Sequence, residues 1–375
     1  MNVGDQHPGH RIALLTPVFW PEVRRGSERF CRELADGLLA SGHRPTLITS
    51  HLARPSSTVE DGVPVIRNWR PPDGRLRARR LEEHLTQVPF TYRSLSRGPY
   101  DVAQAVFPTD AVAAARWSRH TGRPSILSYM GIPDHPGLMA WRGRLRITRA
   151  AVAGCSAVTV LSETARDAFW RWLGVEARVI YPGVDLEAFR PDGGQAEVPT
   201  LFCAAVADEP RKRVPLLVAA FRRVRRERPD ARLVLLRPRQ AALAKELEAH
   251  DGVELVEPVE DLRALASLYR RSWVSVLPSV SDSFGIVLIE ALACGRPVVA
   301  SNSHALPEVV DRDTIGRLFD GDDEGALADA LLDTLDLSRD PATVAACRDR
   351  AREFSSERFV QSYEALYQEL LGTAR

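Results

Sequence analysis

The feature that most limits how this chain can fold is an alternation, kept up from end to end, of short apolar runs with amphipathic segments of helix length. A strand buried on both faces is apolar almost throughout, so this pattern is satisfied by parallel sheets sandwiched between their crossover helices. In the first half the strand-like runs are RIALLTPV from Arg11, TLITS from Thr46, VPVIRNW from Val63, DVAQAVF from Asp101, SILSYM from Ser125 and AVTVLS from Ala157. In the second half they are LFCAAVA, RLVLLR, VELVEP, WVSVLPS, PVVAS and IGRLFD. The expected class is α/β, doubly wound, and 375 residues suit two such domains with a core each.

The segment YPGVDLEAFRPDGGQAEVPT has neither period and is rich in Pro, Gly and acids, which predicts a linker dividing residues 1–182 from 183–355. A helix from near Ser27 to Gly42 places Phe30, Leu34 and Leu38 on one face. At the end, SSERFVQSYEALYQELL repeats Phe359, Tyr363, Leu366 and Leu370 along one face and reads as a docking helix over residues 356–375.

Composition excludes several classes. The formal net charge is +1, which argues against a nucleic-acid partner. Cys31, Cys155, Cys203, Cys294 and Cys347 stand apart, in no spacing that suggests a zinc site or a disulfide framework. No apolar stretch approaches the ~20 residues of a membrane span, and MNVGDQHPGHR lacks a signal core, so a cytoplasmic address is expected. Two arginine-rich stretches, RNWRPPDGRLRARR from Arg67 and WRGRLRITR from Trp141, leave open a peripheral contact with anionic lipid at the inner membrane face. A merely solvated surface is the competing reading.

The segment PSVSDSFGIVLIEALACGRPVVAS, from Pro278, reads as strand end, loop, helix and next strand. Asp282 or Ser283 is placed to cap a helix whose first amides belong to Ser283, Phe284, Gly285, Ile286 and Val287, and a bare helix start after a parallel strand is a site for a diphosphate. Glu290 lies two turns further on, within reach of a ribose, and Asp282 sits where an acid meets sugar hydroxyls. The second element is DEPRKRVPLLVAAF from Asp208, where a loop carries Arg211, Lys212 and Arg213. Only Lys212 and Lys245 are lysine in this arginine-biased chain, and a compact ammonium neutralises the charge growing on a departing diphosphate.

Two acids flanking seven residues, with Phe-Gly after the first, followed by ALACGRPVVAS, HALPEVV from His304 and IGRLFDGDD from Ile315, resemble the family-4 retaining glycosyltransferases of the GT-B fold. The resemblance implies two Rossmann-like domains facing across a cleft, an N-terminal acceptor domain, a C-terminal donor domain, and a last helix crossing back to the first. It further implies transfer from a nucleotide-diphosphate sugar with retention, with neither a cofactor nor a metal. Lys212, Asp282 and Glu290 then carry the catalytic roles, and Arg211, Arg213, Ser283, Phe284, Gly285, Ile286, Val287, Gly26 and Ser27 contact the donor. On the acceptor side fall Arg25, Tyr129, Met130, Gly131 and Asp134.

The chain departs from the family at Pro182, where asparagine is common in the linker segment VIYPGVDLEAFRP, and in four places nearer the expected site. Asp282 replaces the usual Glu, Ala205-Val206 replaces Gly-Arg, Arg25-Gly26 carries one glycine of two, and Met130 stands where many relatives have histidine. The expected acceptor is a small molecule of bacterial natural-product type, with a lipid-linked or cell-envelope acceptor as the alternative. A sugar-nucleotide epimerase and a non-catalytic sugar-binding relative are weaker readings. DGDD from Asp320 mimics a manganese motif but follows a late strand and is set aside.

Overall fold

The computed structural model describes residues 9–23, 26–259 and 261–373. The chain divides into two compact units, Met1–Tyr181 with Glu357–Arg375, and Pro182–Ser356.

The first unit is built on β1 (Arg11–Leu15), β2 (Arg44–His51), β3 (Ser56–Glu60), β4 (Val63–Trp69), β5 (Val102–Ala105), β6 (Ser125–Tyr129), β7 (Ala157–Val160) and β8 (Arg178–Val179). Their order in the sheet is β3-β4-β2-β1-β5-β6-β7-β8, all parallel except β3 against β4. The six strands read from the sequence all form. β3 and β8 were not anticipated, and for β3 the reason is physical. Ser56 to Val59 are exposed, so no apolar alternation marks the strand, and the hairpin is set by Asp61 and Gly62 at φ 48 and 83.

The helix Gly26–Ala40 joins β1 to β2 and buries Phe30, Leu34 and Leu38. It closes with Gly42 at φ 83 and the His43 amide donating to Leu38 O at 2.9 Å, a Schellman ending. The last helix, Ser356–Thr373, belongs to this unit and buries Phe359, Val360, Tyr363, Leu366 and Tyr367. Tyr367, rather than Leu370, completes the apolar face. The two helices approach so closely that a Cβ on Gly37 would lie 2.2 Å from Val360 Cγ2. A wholly buried polar chain then pins the last helix to the sheet. The Tyr363 hydroxyl meets Ser128 Oγ at 3.0 Å and Thr159 Oγ1 at 2.9 Å, Gln104 Nε2 donates to Ser128 Oγ at 2.8 Å, and the Tyr367 hydroxyl donates to Gln104 Oε1.

The second unit carries β9 (Thr200–Cys203), β10 (Arg232–Leu236), β11 (Val253–Val256), β12 (Val274–Leu277), β13 (Val298–Ser301) and β14 (Gly316–Phe319), in the order β11-β10-β9-β12-β13-β14, all parallel. In each sheet the winding direction reverses once, between β1 and β5 in the first and between β9 and β12 in the second. At such a switch point the loops leaving the two strands diverge and open a crevice for a ligand. Among the described residues no helix is long and apolar enough to cross a membrane.

Candidate active site

In the second unit, the loops leaving β9 and β12 bring together the residues singled out in the sequence. After β9, a single 3-10 turn, Pro210–Lys212, carries Arg211 and Lys212. After β12, the chain runs through Ser279 to Asp282. The Arg211 carbonyl accepts from the Val280 amide at 2.9 Å, which ties the two loops together. Lys212 Nζ donates to Asp282 Oδ1 at 2.8 Å and Oδ2 at 3.0 Å, Arg211 Nη1 donates to Oδ1 at 2.5 Å, and the Ser279 hydroxyl donates to Oδ2. Burial pushes the Asp282 carboxyl up, but the Lys212 ammonium, the hydrogen bonds from Lys212 and Ser279, and Arg211 outweigh it and hold the group below the usual carboxylate range.

Asp282 therefore does not cap the following helix, and neither does Ser283. That helix, Ile286–Ala293, starts one turn later, with Gly285 at its N-cap, φ 95 and no side-chain cap. A Cβ on Gly285 would stand 2.7 Å from Leu306 Cδ2, so both the positive φ and the close packing call for glycine. Phe284 is buried against Phe354, whereas Ser283, Ile286 and Val287 are half-buried beside the loop. His304, from the loop after β13, accepts from the Ser281 amide on Nδ1 at 3.2 Å.

Two expected donor contacts are placed differently. Arg213 turns away from Asp282: its guanidinium donates to Pro278 O at 2.6 Å and Gly321 O at 2.9 Å, pairs with Asp322 and lies over the Phe319 ring. It braces the loops, which leaves Arg211 as the second cation beside the acid. Glu290 is 0% exposed, and its Oε2 accepts from the Tyr269 hydroxyl at 2.7 Å. The carboxylate faces the helix Leu262–Arg271 and is not presented to solvent. Val206, where relatives carry arginine, is 43% exposed. The acids of DGDD each have a structural partner: Asp320 holds Asn302, Asp322 holds Arg213, and Asp323 caps the helix Glu324–Leu337. Among the described residues no three His, Cys, Asp or Glu cluster as metal ligands.

In the first unit, Gly26 is exposed at the start of its helix and Ser27 donates to Glu28 Oε1 at 3.1 Å. Arg25 lies outside the described residues. Tyr129 ends β6 with its ring edge-to-face on Phe169, beside the half-buried Met130 and Gly131. Asp134 is exposed and caps the short helix His135–Met139, accepting from the Gly137 amide at 2.5 Å.

A group that sequence reasoning missed sits at this sheet's switch point. Asp110, wholly buried after β5, accepts from Gln87 Nε2 at 3.1 Å on both oxygens and from Thr91 Oγ1 at 3.0 Å, and Gln87 Oε1 accepts from Ser50 at 2.6 Å. Burial raises the Asp110 carboxyl to about 6 against the hydrogen bonds from Thr91 and Gln87. Beyond the end of β4, Arg70 is buried with Nη2 on Glu22, while its Nη1 has no hydrogen-bond partner among the described residues; the same holds for Nδ1 of His84. Burial, the largest cause, lowers the His84 imidazole against the opposing charges of Glu83 and Asp73, with Arg70 and Arg77 adding to the lowering. Ser50, Gln87, Thr91 and Asp110 come from four separate elements, and no local motif announces them.

Two family models run over most of the chain: Glycosyltransferase Family 4 matches residues 24–188 and Glycosyl transferases group 1 matches residues 198–336. Among similar proteins, the D-inositol 3-phosphate glycosyltransferase of Mycolicibacterium smegmatis is 32% identical over 216 residues, covering 52% of this chain and 48% of its own length. The phosphatidyl-myo-inositol mannosyltransferase of Propionibacterium freudenreichii is 31% identical over 259 residues, covering 66% and 64%. The chain thus spans about half the length of the D-inositol 3-phosphate enzymes it matches. Among solved structures, sucrose-phosphate synthase of Thermosynechococcus elongatus superposes with a TM-score of 0.81 at 21% identity, over 97% of this chain and 100% of that one. Anabaena HepE in complex with UDP and glucose gives 0.73 at 18%, over 96% and 99%. With both halves matched in order and the whole fold shared, the chain belongs to the group 1, family 4 glycosyltransferases of GT-B fold.

Proposed function

We propose that the chain moves a sugar from a nucleoside diphosphate sugar to a hydroxyl of an acceptor, with retention at the anomeric carbon and without a catalytic metal. The observation that carries this reading is the Lys212–Asp282 pair at the switch point of the second sheet, directly before the glycine-started helix Ile286–Ala293. The diphosphate lies at that helix start. Lys212, with Arg211 as the second cation, exchanges Asp282 for the diphosphate oxygens and neutralises the charge that grows as the glycosidic bond breaks. Asp282, freed from the ammonium, accepts hydrogen bonds from sugar hydroxyls. The acceptor's proton passes to the leaving phosphate oxygen on the face being vacated, which leaves the configuration unchanged.

For the acceptor, the first sheet's switch point is the matching place. The buried Arg70 Nη1 and His84 Nδ1, each without a hydrogen-bond partner among the described residues, suit a polyol bearing an anionic group, in keeping with similar proteins named for inositol phosphate and phosphatidylinositol acceptors. A small soluble acceptor is the first reading. A lipid-linked one is favoured by the arginine surface described below.

Calorimetry with UDP-, GDP- and dTDP-sugars tests the proposal. One donor should bind without added metal, and Lys212→Ala should lower turnover on the order of a hundredfold, the size typical of removing one preorganised charge-stabilising donor. Turnover unaffected by Lys212→Ala refutes the assignment. Glu290→Gln separates two parts for the second acid: weaker nucleotide binding at an unchanged melting temperature marks a ribose contact, and a lowered melting temperature at unchanged affinity marks an anchor for Tyr269.

A further inference from the structure

We infer that the two arginine-rich stretches of the first unit form one surface that docks on an anionic lipid bilayer. The stretches lie far apart in sequence, but the fold joins them. Leu81 and Arg142 pair in an isolated parallel bridge, the Arg142 amide donates to Arg80 O at 2.6 Å, and the Glu82 amide donates to Arg142 O at 3.2 Å. Arg144 Nε reaches Glu82 Oε2 at 2.7 Å across the same seam. The Leu81 amide also donates to Leu76 O at 3.0 Å, folding the short helix Gly74–Ala78 back onto this spot.

The result is a concentration of one charge. Arg75, Arg79 and Arg80 from one stretch stand beside Arg142, Arg146 and Arg149 from the other, and all are exposed. None of them makes an ion pair with a carboxylate among the described residues, and the nearby Glu82 and Glu83 are engaged by Arg144 and Arg77. In a chain of net charge +1, this is a local excess without a local counterweight.

Apolar side chains accompany it. Met139, at the end of the helix His135–Met139, is 57% exposed three residues before Arg142. Trp172 is 38% exposed, with its ring 5.9 Å from His135 at the start of that helix. Arginine with exposed tryptophan and methionine is the chemistry of a bilayer interface, where the cations meet lipid phosphates and the apolar groups enter the acyl boundary. A soluble polyanion would reward the arginines alone. The inference does not rest on the sugar-transfer reading.

The test is co-sedimentation of the full chain with phosphatidylcholine vesicles, with and without a phosphatidylglycerol fraction. The wild type should pellet only with the anionic vesicles, and high salt should release it. Replacing Arg79, Arg80, Arg142 and Arg146 by Glu should lower partition by more than a hundredfold, since each basic residue near an anionic surface is worth about fivefold. Met139→Ser with Trp172→Ser should lower it severalfold at unchanged charge. An unchanged melting temperature and unchanged far-UV circular dichroism in both variants establish that the first unit is folded, and unaltered UDP affinity that the donor site is separate. Absence of wild-type binding to anionic vesicles overturns the inference. So does binding indifferent to charge reversal, or capture by heparin as tight as by vesicles and insensitive to the Met139 and Trp172 changes.

Discussion

As folded, Lys212 donates to both oxygens of Asp282, so an incoming diphosphate must compete with that carboxylate for the ammonium. Asp282→Asn tests this competition. The amide keeps the shape and one acceptor oxygen but loses the charge. A charge-assisted hydrogen bond has a net worth of about 1.5–3 kcal/mol, and a neutral acceptor recovers part of it. Releasing Lys212 should then favour the diphosphate by about 1 kcal/mol, a UDP affinity roughly fivefold tighter than wild type. UDP is the right probe because it lacks the transferable sugar, so the loss of a contact between position 282 and that sugar does not enter. The gain should shrink at high salt.

The same substitution should lower stability, because Lys212 is largely buried and loses its counter-charge, while Arg211 falls back on Glu209 at 2.8 Å. The expected cost is about 1–2 kcal/mol, a melting shift of a few degrees, less than for a fully buried pair because Arg211 is nearly half exposed. Its pH dependence has a fixed sign. The folded carboxyl titrates below its unfolded value, so this stabilisation is complete above the ordinary carboxylate pKa and is lost as pH falls through the lowered one. Calorimetry with UDP and scanning calorimetry of both proteins decide the matter. A folded Asp282→Asn protein that binds UDP no tighter than wild type would refute the competition.

Two further outcomes concern the first unit. Tyr367→Phe should cost about 1–3 kcal/mol, because it strands the buried Gln104 Oε1, whereas Tyr363→Phe should cost less, because Ser128 and Thr159 remain hydrogen-bonded at 2.9 Å and their hydroxyls can rotate. Hydrogen exchange of residues 356–373 reads both, and the reverse order would be fatal to the argument. Asp110 is raised to about 6, so the folded state binds its proton more readily than the unfolded chain and stability falls as pH climbs toward that value. Relative to Asp110→Asn, the wild type should lose on the order of 2 kcal/mol between about pH 4 and pH 7 in urea unfolding, and a difference independent of pH would contradict the assignment.

The parallel strands were legible because burial on both faces writes itself as uninterrupted apolar sequence, and β3 was not, because an exposed hairpin edge carries no such mark. Lys212 and Asp282 were legible through local motifs. The helix start was misread for a related reason: Asp and Ser are good caps wherever nothing else claims them, and here Lys212, seventy positions away, claims Asp282. Periodicity likewise put Glu290 on a helix but could not say that Tyr269 stands opposite. Ser50, Gln87 and Asp110 belong to three elements that only the sheet order brings together.

The cations beside the donor loop are engaged before any anion arrives, with Lys212 and Arg211 on Asp282 and Arg213 on the backbone of two loops. This arrangement avoids a desolvated, unpaired ammonium, which would cost several kcal/mol. It also sets a threshold. A lone phosphate gains only what it takes from Asp282, whereas a diphosphate sugar gains the ammonium, the helix start and, through the freed carboxylate, the sugar hydroxyls. On the proposed reading the pair favours the complete donor over its fragments, and the shorter Asp at position 282, where the family usually has Glu, should narrow that preference, because a carboxylate one methylene further back reaches less far toward the sugar. Asp282→Glu should therefore raise the affinity ratio of UDP-sugar to UDP, and an unchanged ratio would place the sugar contact elsewhere.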